Sequence, residues 1–254
     1  MRPKIIAGNW KMNKDLDDSV GLLQGIKSAS SDFPPGVKVI VCPPFTSLAV
    51  AQRILEGTQV GLGAQNMYAE DEGAFTGEIS AKMLKSVGCR YVIVGHSERR
   101  QYFAETNDLI NKKARKALAS GLIPIICVGE TLEEREKNLT EKVVSVQTKG
   151  VLKEMAVADV EKSIIAYEPV WAIGTGKTAT LEQAEEVHQL IRKLIGQLHT
   201  WATAEKVVIQ YGGSVKPENA KSLLSQPNID GALVGGACLK ADSFSQIVKA
   251  ATGS

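Results

Sequence analysis

Three residue types suited to acid–base chemistry each follow a short apolar run. Lys11 lies in Gly8-Asn9-Trp10-Lys11-Met12-Asn13, His96 in Gly95-His96-Ser97-Glu98-Arg99-Arg100, and Glu168 opens Glu168-Pro169-Val170-Trp171. A carboxylate, an imidazole and an ammonium can move protons and stabilise developing charge. Taken singly they are ordinary. Lysines are mostly solvated, a histidine can be satisfied by a backbone group, and a glutamate can pair with a surface cation. Their shared place after an apolar run gives them weight. His188 and His199 lie within or just after a long helical period, and a surface role is expected for both.

Two glycine pairs add a second chemistry. Tyr211-Gly212-Gly213-Ser214 and Gly235-Gly236 follow the last two apolar runs. Paired glycines turn the backbone tightly, present N–H groups and admit a ligand closely. Two adjacent loops with this feature point to phosphate rather than to turns alone. Gly174-Thr175-Gly176-Lys177-Thr178 lacks the earlier glycine of a nucleotide P-loop, because Trp171 stands there, and Gly61-Leu62-Gly63-Ala64-Gln65-Asn66 ends in asparagine where a dinucleotide fingerprint needs glycine. No metal-ligand spacing occurs, so neither a cofactor nor a metal is expected.

The elements that must hold these residues are short β-branched runs alternating with helical periods. Strands are expected at Lys4–Ala7, Val37–Cys42, Gln59–Gly63, Tyr91–Val94, Ile123–Val128, Ser163–Tyr167, Val207–Gln210 and Ala232–Val234. Most are apolar on successive residues, as in a parallel sheet covered on both faces. Helices are expected at Leu16–Ser28, Ser47–Leu55, Ile79–Ser86, Leu109–Ala119, Glu133–Glu154, Thr180–Leu198, Pro217–Leu224 and Ser243–Ala250. In the sixth, Ala184, Val187, Ile191, Leu194 and Leu198 recur at helical spacing, and Thr180 with Gln183 forms a capping box. Gly121 sits where a helix C-cap belongs. Eight strand–helix units argue for an α/β fold, a single (β/α)8 barrel over residues 1–254, ahead of an open doubly wound sheet. In such a barrel the chemistry gathers at the C-terminal strand ends.

Composition fits one soluble domain. The chain has 254 residues, 44% of them hydrophobic, and 30 basic against 28 acidic side chains leave a formal charge of +2. That balance gives no reason to expect nucleic acid or an acidic membrane as a partner. No secretory signal or membrane span is expected. None of the four cysteines forms a Cys-x-x-Cys pair, which suits buried, reduced thiols in the cytoplasm. The Asn138-Leu139-Thr140 sequon is then idle.

The blocks Gly8–Asn13 (GNWKMN), Val94–Arg100 (VGHSERR), Cys127–Glu136 (CVGETLEERE), Ala166–Thr180 (AYEPVWAIGTGKTAT), Tyr211–Ala220 (YGGSVKPENA) and Ala232–Ala237 (ALVGGA) resemble the triosephosphate isomerase family, in matching order along nearly the whole chain. Leu181 and Cys238 depart from the proline and serine common there. The resemblance implies dihydroxyacetone phosphate and glyceraldehyde 3-phosphate as substrates and a homodimer as the assembly. It implies Glu168 as the base, His96 as hydrogen-bond donor to the carbonyl oxygen, and Lys11 with Asn9 as its positive and polar neighbours. Glu98 is expected to pair with Lys11, while Ser97, Glu130 and Gly213 support the site. Asn9, Lys11, Gly174, Ser214, Gly235 and Gly236 would contact substrate. A histidine at a helix N-terminus feels positive backbone potential, which favours its neutral form.

The same resemblance makes Pro169-Val170-Trp171-Ala172-Ile173-Gly174-Thr175-Gly176-Lys177-Thr178-Ala179 a lid that excludes water from the enediolate. Ala74-Phe75-Thr76-Gly77-Glu78 resembles the family's interface loop, with Thr76 reaching the neighbouring site near Lys11 and His96. The competing readings are a different barrel isomerase or aldolase acting on a phosphorylated sugar, and a non-catalytic scaffold or binding protein on the same fold.

Overall fold

The computed structural model describes residues 2–173 and 178–252. Its strands are β1 (Lys4–Asn9), β2 (Val37–Cys42), β3 (Gly61–Ala64), β4 (Tyr91–Val94), β5 (Ile123–Val128), β6 (Ile164–Tyr167), β7 (Val208–Tyr211) and β8 (Gly231–Val234). They pair in chain order, all parallel, and β8 closes on β1. Ala7 of β1, for example, stands opposite Ile40 on one side and Leu233 on the other.

Closure makes two cores. Ile5, Ala7, Ile40, Ile93, Ile125, Ile164 and Leu233 fill the barrel interior, whereas Ile6, Val39, Val92, Ile126 and Ile165 pack outward against helices. Alternate residues of one strand therefore serve different cores, and both are apolar. This is why the strands read as continuous apolar runs.

The helices are α1 (Leu16–Ala29), α2 (Leu48–Leu55), α3 (Ala81–Ser86), α4 (Ser97–Phe103), α5 (Asn107–Ala119), α6 (Leu132–Glu136), α7 (Thr140–Val151), α8 (Val157–Lys162), α9 (Leu181–Leu198), α10 (Trp201–Ala204), α11 (Pro217–Leu224) and α12 (Ala241–Lys249). The capping box of Thr180 and Gln183 is formed at α9, and Gly121 follows α5 at φ +80°. The helix expected over Glu133–Glu154 is instead two, α6 and α7. Asn138 adopts φ +57° between them, a left-handed conformation that ends the first and turns the chain into the second. The short α8 and α10 were not expected.

His188 corrects a second expectation. It is fully buried, not at the surface. Four residues after Ala184 and three before Ile191, it lies on the apolar face of α9. Its ring stands edge-on to Tyr167, with centroids 5.8 Å apart, and Nδ1 is 3.3 Å from the Asn228 carbonyl. Burial drives its pKa down to about 3.

Candidate active site

The strand ends bring Asn9, Lys11, His96 and Glu168 to one cleft of about 910 Å³. Gly212, Gly213, Ser214, Gly235 and Gly236 line the same cleft. It opens at the C-terminal rim of the barrel, where loops can vary without disturbing the core.

Glu168 follows β6 directly and is 2% exposed. Its backbone N–H donates to Val128 O at 2.8 Å, fixing it beside the end of β5. Both carboxylate oxygens are engaged. His96 Nε2 lies 2.8 Å from Oε1, and the Ser97 N–H donates to Oε2 at 2.9 Å. A Cβ on Gly212 would come within 2.8 Å of Glu168 Cγ, so only glycine leaves the side chain room there.

His96 caps α4, and its Nδ1 accepts the Glu98 N–H at 3.2 Å. That bond leaves the ring proton on Nε2, facing Glu168. Burial pushes the His96 pKa down, but the charge and hydrogen bond of Glu168, aided by Glu98, outweigh it and hold it above the ordinary value. Burial pushes Glu168 up, while His96, the Ser97 N–H and Lys11 more than reverse this. The carboxylate is thus held below its ordinary range. A second ring proton on Nδ1 would face the Glu98 N–H, so the geometry describes a neutral imidazole beside an ionised carboxylate.

Lys11 adopts φ +54°, an uncommon backbone for a side-chain-bearing residue. Asn9 Oδ1 accepts its N–H at 3.0 Å, and Gln65 Nε2 donates to its carbonyl at 2.8 Å and to Cys42 O at 2.9 Å. Lys11 Nζ donates to Glu98 Oε1 at 2.5 Å. Its Cε lies 3.6 Å from where a Cβ on Gly235 would be, so the stem runs beside the glycine loop. Gly235 precedes a 3-10 turn, Gly236–Leu239, and Asn219 Nδ2 holds Ser214 O at 3.0 Å.

Glu130 is fully buried beneath the segment after Glu168. It accepts from Tyr167 Oη at 3.1 and 3.2 Å, Trp171 Nε1 at 2.9 Å and Arg135 Nη1 at 3.3 Å. The Val170 N–H donates to its carbonyl at 3.0 Å. Val170–Ala172 form a 3-10 turn between Pro169 and Ile173. Thr178 and Ala179 lead into α9, whereas the expected tip Gly174, Thr175, Gly176 and Lys177 lies outside the described residues. Thr76 is exposed, and none of these contacts includes it. Cys238 is buried under Gly8, and burial raises its thiol pKa to about 12.

Sequence reasoning did not single out Gln65 or Gln147. Gln147 clamps the Gly129 peptide, accepting its N–H at 2.8 Å and donating to its carbonyl at 3.0 Å. Both glutamines act on backbone groups, which leaves no motif to read.

A closed (β/α)8 barrel whose rim joins a carboxylate, an imidazole and an ammonium to two glycine loops belongs to the class of barrel enzymes that act on small anionic substrates. The comparisons narrow this. The family model described as triosephosphate isomerase matches residues 4–251, and the chain belongs to that family. It is 56% identical over 247 residues to the triosephosphate isomerase of Rhodopirellula baltica, covering 97% of each chain. It is 55% identical to those of Dictyoglomus turgidum and Carboxydothermus hydrogenoformans, in each case over 249 residues and 98% of this chain, and over 100% and 99% of theirs.

Proposed function

We propose that this chain catalyses the reversible interconversion of dihydroxyacetone phosphate and D-glyceraldehyde 3-phosphate by proton transfer through an enediolate, a step shared by glycolysis and gluconeogenesis. The observation that carries the reading is the pair of His96 Nε2 and Glu168 Oε1, 2.8 Å apart in a cleft that also holds Lys11 and the glycine loops. Nothing among the relatives supports the scaffold alternative. Residues 1–254 act as one barrel domain.

The chemistry follows from the groups present. The substrate phosphate sits against the N–H groups of Ser214, Gly235, Gly236 and Gly174, with Gly213 giving close approach. Its carbonyl oxygen displaces Glu168 from His96 Nε2–H, and Lys11 and Asn9 add positive and polar contacts. Once Glu168 leaves its Ser97 and His96 partners, the largest causes that depress its pKa are gone, and burial is opposed only by neighbouring cations such as Lys11. The base is therefore strongest when it faces the substrate carbon. It removes a proton from one carbon and returns it to the next, while the hydroxyl proton on the first carbon passes to the former carbonyl oxygen. His96 loses the influence of Glu168 in the same movement, so the buried imidazole stays neutral and donates its Nε2–H to the growing oxyanion. Ser97, Glu98 and Glu130 hold these groups in place. Pro169–Ala179 close as a lid over the enediolate and keep water from it.

A second copy of the chain completes the assembly. Met12, Phe45, Phe75, Tyr102 and Phe103 follow β1 to β4, and Met83 lies on α3 between β3 and β4; all six are exposed. A face of this kind fits a homodimer with Thr76 reaching the neighbouring cleft. Four free buried thiols suit a reducing cytoplasm. No described helix is long and apolar enough to cross a membrane, and the near-neutral charge favours no nucleic-acid partner.

The test is glyceraldehyde 3-phosphate isomerisation by the purified chain beside Glu168→Asp and Glu168→Gln. Fast turnover by the unmodified chain with a loss of at least about 10²-fold in both variants supports the reading. A folded chain without turnover sinks it.

A further inference from the structure

Arg100 carries a role that the proposed reaction has not yet used. Its guanidinium spans three elements. Nε donates to Gly95 O at 3.0 Å, Nη1 to Asn107 Oδ1 at 2.7 Å, and Nη2 to Cys127 O at 3.0 Å. Gly95 immediately precedes His96. It turns the chain at φ +70°, and a Cβ there would come within 2.8 Å of Ile110. Cys127 immediately precedes Val128, whose carbonyl holds the Glu168 N–H at 2.8 Å. One side chain thus ties the peptide before the imidazole to the strand that fixes the carboxylate.

We infer that Arg100 is a positioning residue for the proton transfer, setting the separation of His96 and Glu168 through its three hydrogen bonds. This rests on the reaction proposed above. The planar fork of an arginine matches three acceptors in fixed directions, which a lysine ammonium on a flexible stem cannot reproduce. The guanidinium also brings a positive charge close enough to interact with Glu168, in company with the Cys127 thiol and Glu105. The groups facing Glu168 are then His96, the Ser97 N–H, Lys11, Cys127 and Arg100.

The geometric and electrostatic contributions separate in a variant series. Arg100→Lys keeps the charge and loses the fork. It should lower kcat by about tenfold or more with KM within about twofold, because small displacements of reacting groups are costly. Arg100→Met should lose as much and also move the acid limb of kcat/KM to higher pH, since a carboxylate without its nearby cation binds a proton more readily. Asn107→Ala leaves Arg100 and its charge but removes one acceptor. It should lower kcat less, with the limb unmoved, and it decides the matter if the arginine variants do not fold. Nitrogen-15 spectra of the His96 ring should shift in Arg100→Lys, a readout independent of turnover. An unmodified chain without turnover would therefore overturn the reaction while the spectra still judged the positioning. If kcat in Arg100→Lys or Asn107→Ala stays within about twofold of the unmodified chain and the ring spectrum is unchanged, Arg100 is only a brace. An acid limb shared by the unmodified chain and Arg100→Met would equally overturn its electrostatic part.

Discussion

The Ser97 N–H donates to Glu168 Oε2 at 2.9 Å, so the first turn of α4 restrains the proposed base before substrate arrives. Ser97 is the first residue of that helix, where proline is favoured. His96 before it has φ −50° and ψ 143°, which a following proline also tolerates. Ser97→Pro should therefore fold while deleting the donor. Losing one hydrogen bond to an ionised acceptor should raise the Glu168 pKa and move the acid limb of kcat/KM to higher pH. A pH profile unchanged from the parent would remove Ser97 from the account of the depressed carboxylate.

The start of the proposed lid hangs on Glu130, which accepts from Trp171 Nε1, Tyr167 Oη and Arg135 together. Arg135 also lies over the Trp171 ring, 4.9 Å from its centroid. Glu130→Gln presents an amide N–H₂ to donors that need acceptors and should cost about 1–3 kcal/mol in urea unfolding. Deleting Ile173–Gly176 should instead leave stability nearly intact and greatly increase phosphate released per isomerisation. Unchanged partitioning in the deletion would argue that the segment is an ordinary connector.

Much of this arrangement was legible because burial writes itself into sequence. Val37–Cys42, Tyr91–Val94 and Ile123–Val128 have the expected bounds, since a strand between two apolar cores is mostly apolar at successive residues. Lys11, His96 and Glu168 were legible for the converse reason, as polar residues directly after such runs. Asn138 was not, because its left-handed backbone interrupts a segment otherwise rich in helix formers. Nor were Arg100, Gln65 and Gln147, whose partners Cys127 O, Lys11 O and the Gly129 peptide are backbone groups distant in sequence. His188 was readable and misjudged: the spacing of Ala184 and Ile191 already put it on the buried face.

The apolar side chains exposed after β1 to β4 predict self-association. Sedimentation at micromolar concentration should show a dimer. Changing Phe75 and Tyr102 together to glutamate should yield monomers, because like charges would meet across a two-fold interface. Turnover should fall with dimer content if Thr76 completes the neighbouring cleft. A parent chain sedimenting wholly as monomer would discard both expectations.

At the opposite end of the barrel, Asp230 accepts from Arg2 Nε at 2.7 Å, Arg192 Nη2 at 2.6 Å and the Ile209 N–H at 2.9 Å. Arg192 is buried and holds the Ala204 and Val207 carbonyls as well. Asp230→Ala would leave that cation without its carboxylate and should cost about 3–5 kcal/mol. The site lies at the far strand ends, so kcat of the folded variant should stay close to that of the parent. A large fall in kcat with unchanged stability would contradict this division between the two ends.

His188 ties stability to pH. An unfolded histidine titrates near 6.5, whereas burial places the folded ring at about 3. The fold therefore favours the neutral form. Its contribution is complete above pH 6.5 and is lost progressively as pH falls toward 3, where the unfolded chain binds a proton that the folded chain refuses. The full span corresponds to roughly 4–5 kcal/mol. His188→Asn can keep a donor toward the Asn228 carbonyl but cannot titrate. Its unfolding free energy should accordingly vary less between pH 6.5 and 4 than that of the parent, although the smaller side chain lowers stability throughout. Parallel curves for the two proteins would show that acid destabilisation begins elsewhere, with the carboxylates of Glu168 and Glu105 the next groups to vary, since both are held below their ordinary range in the fold.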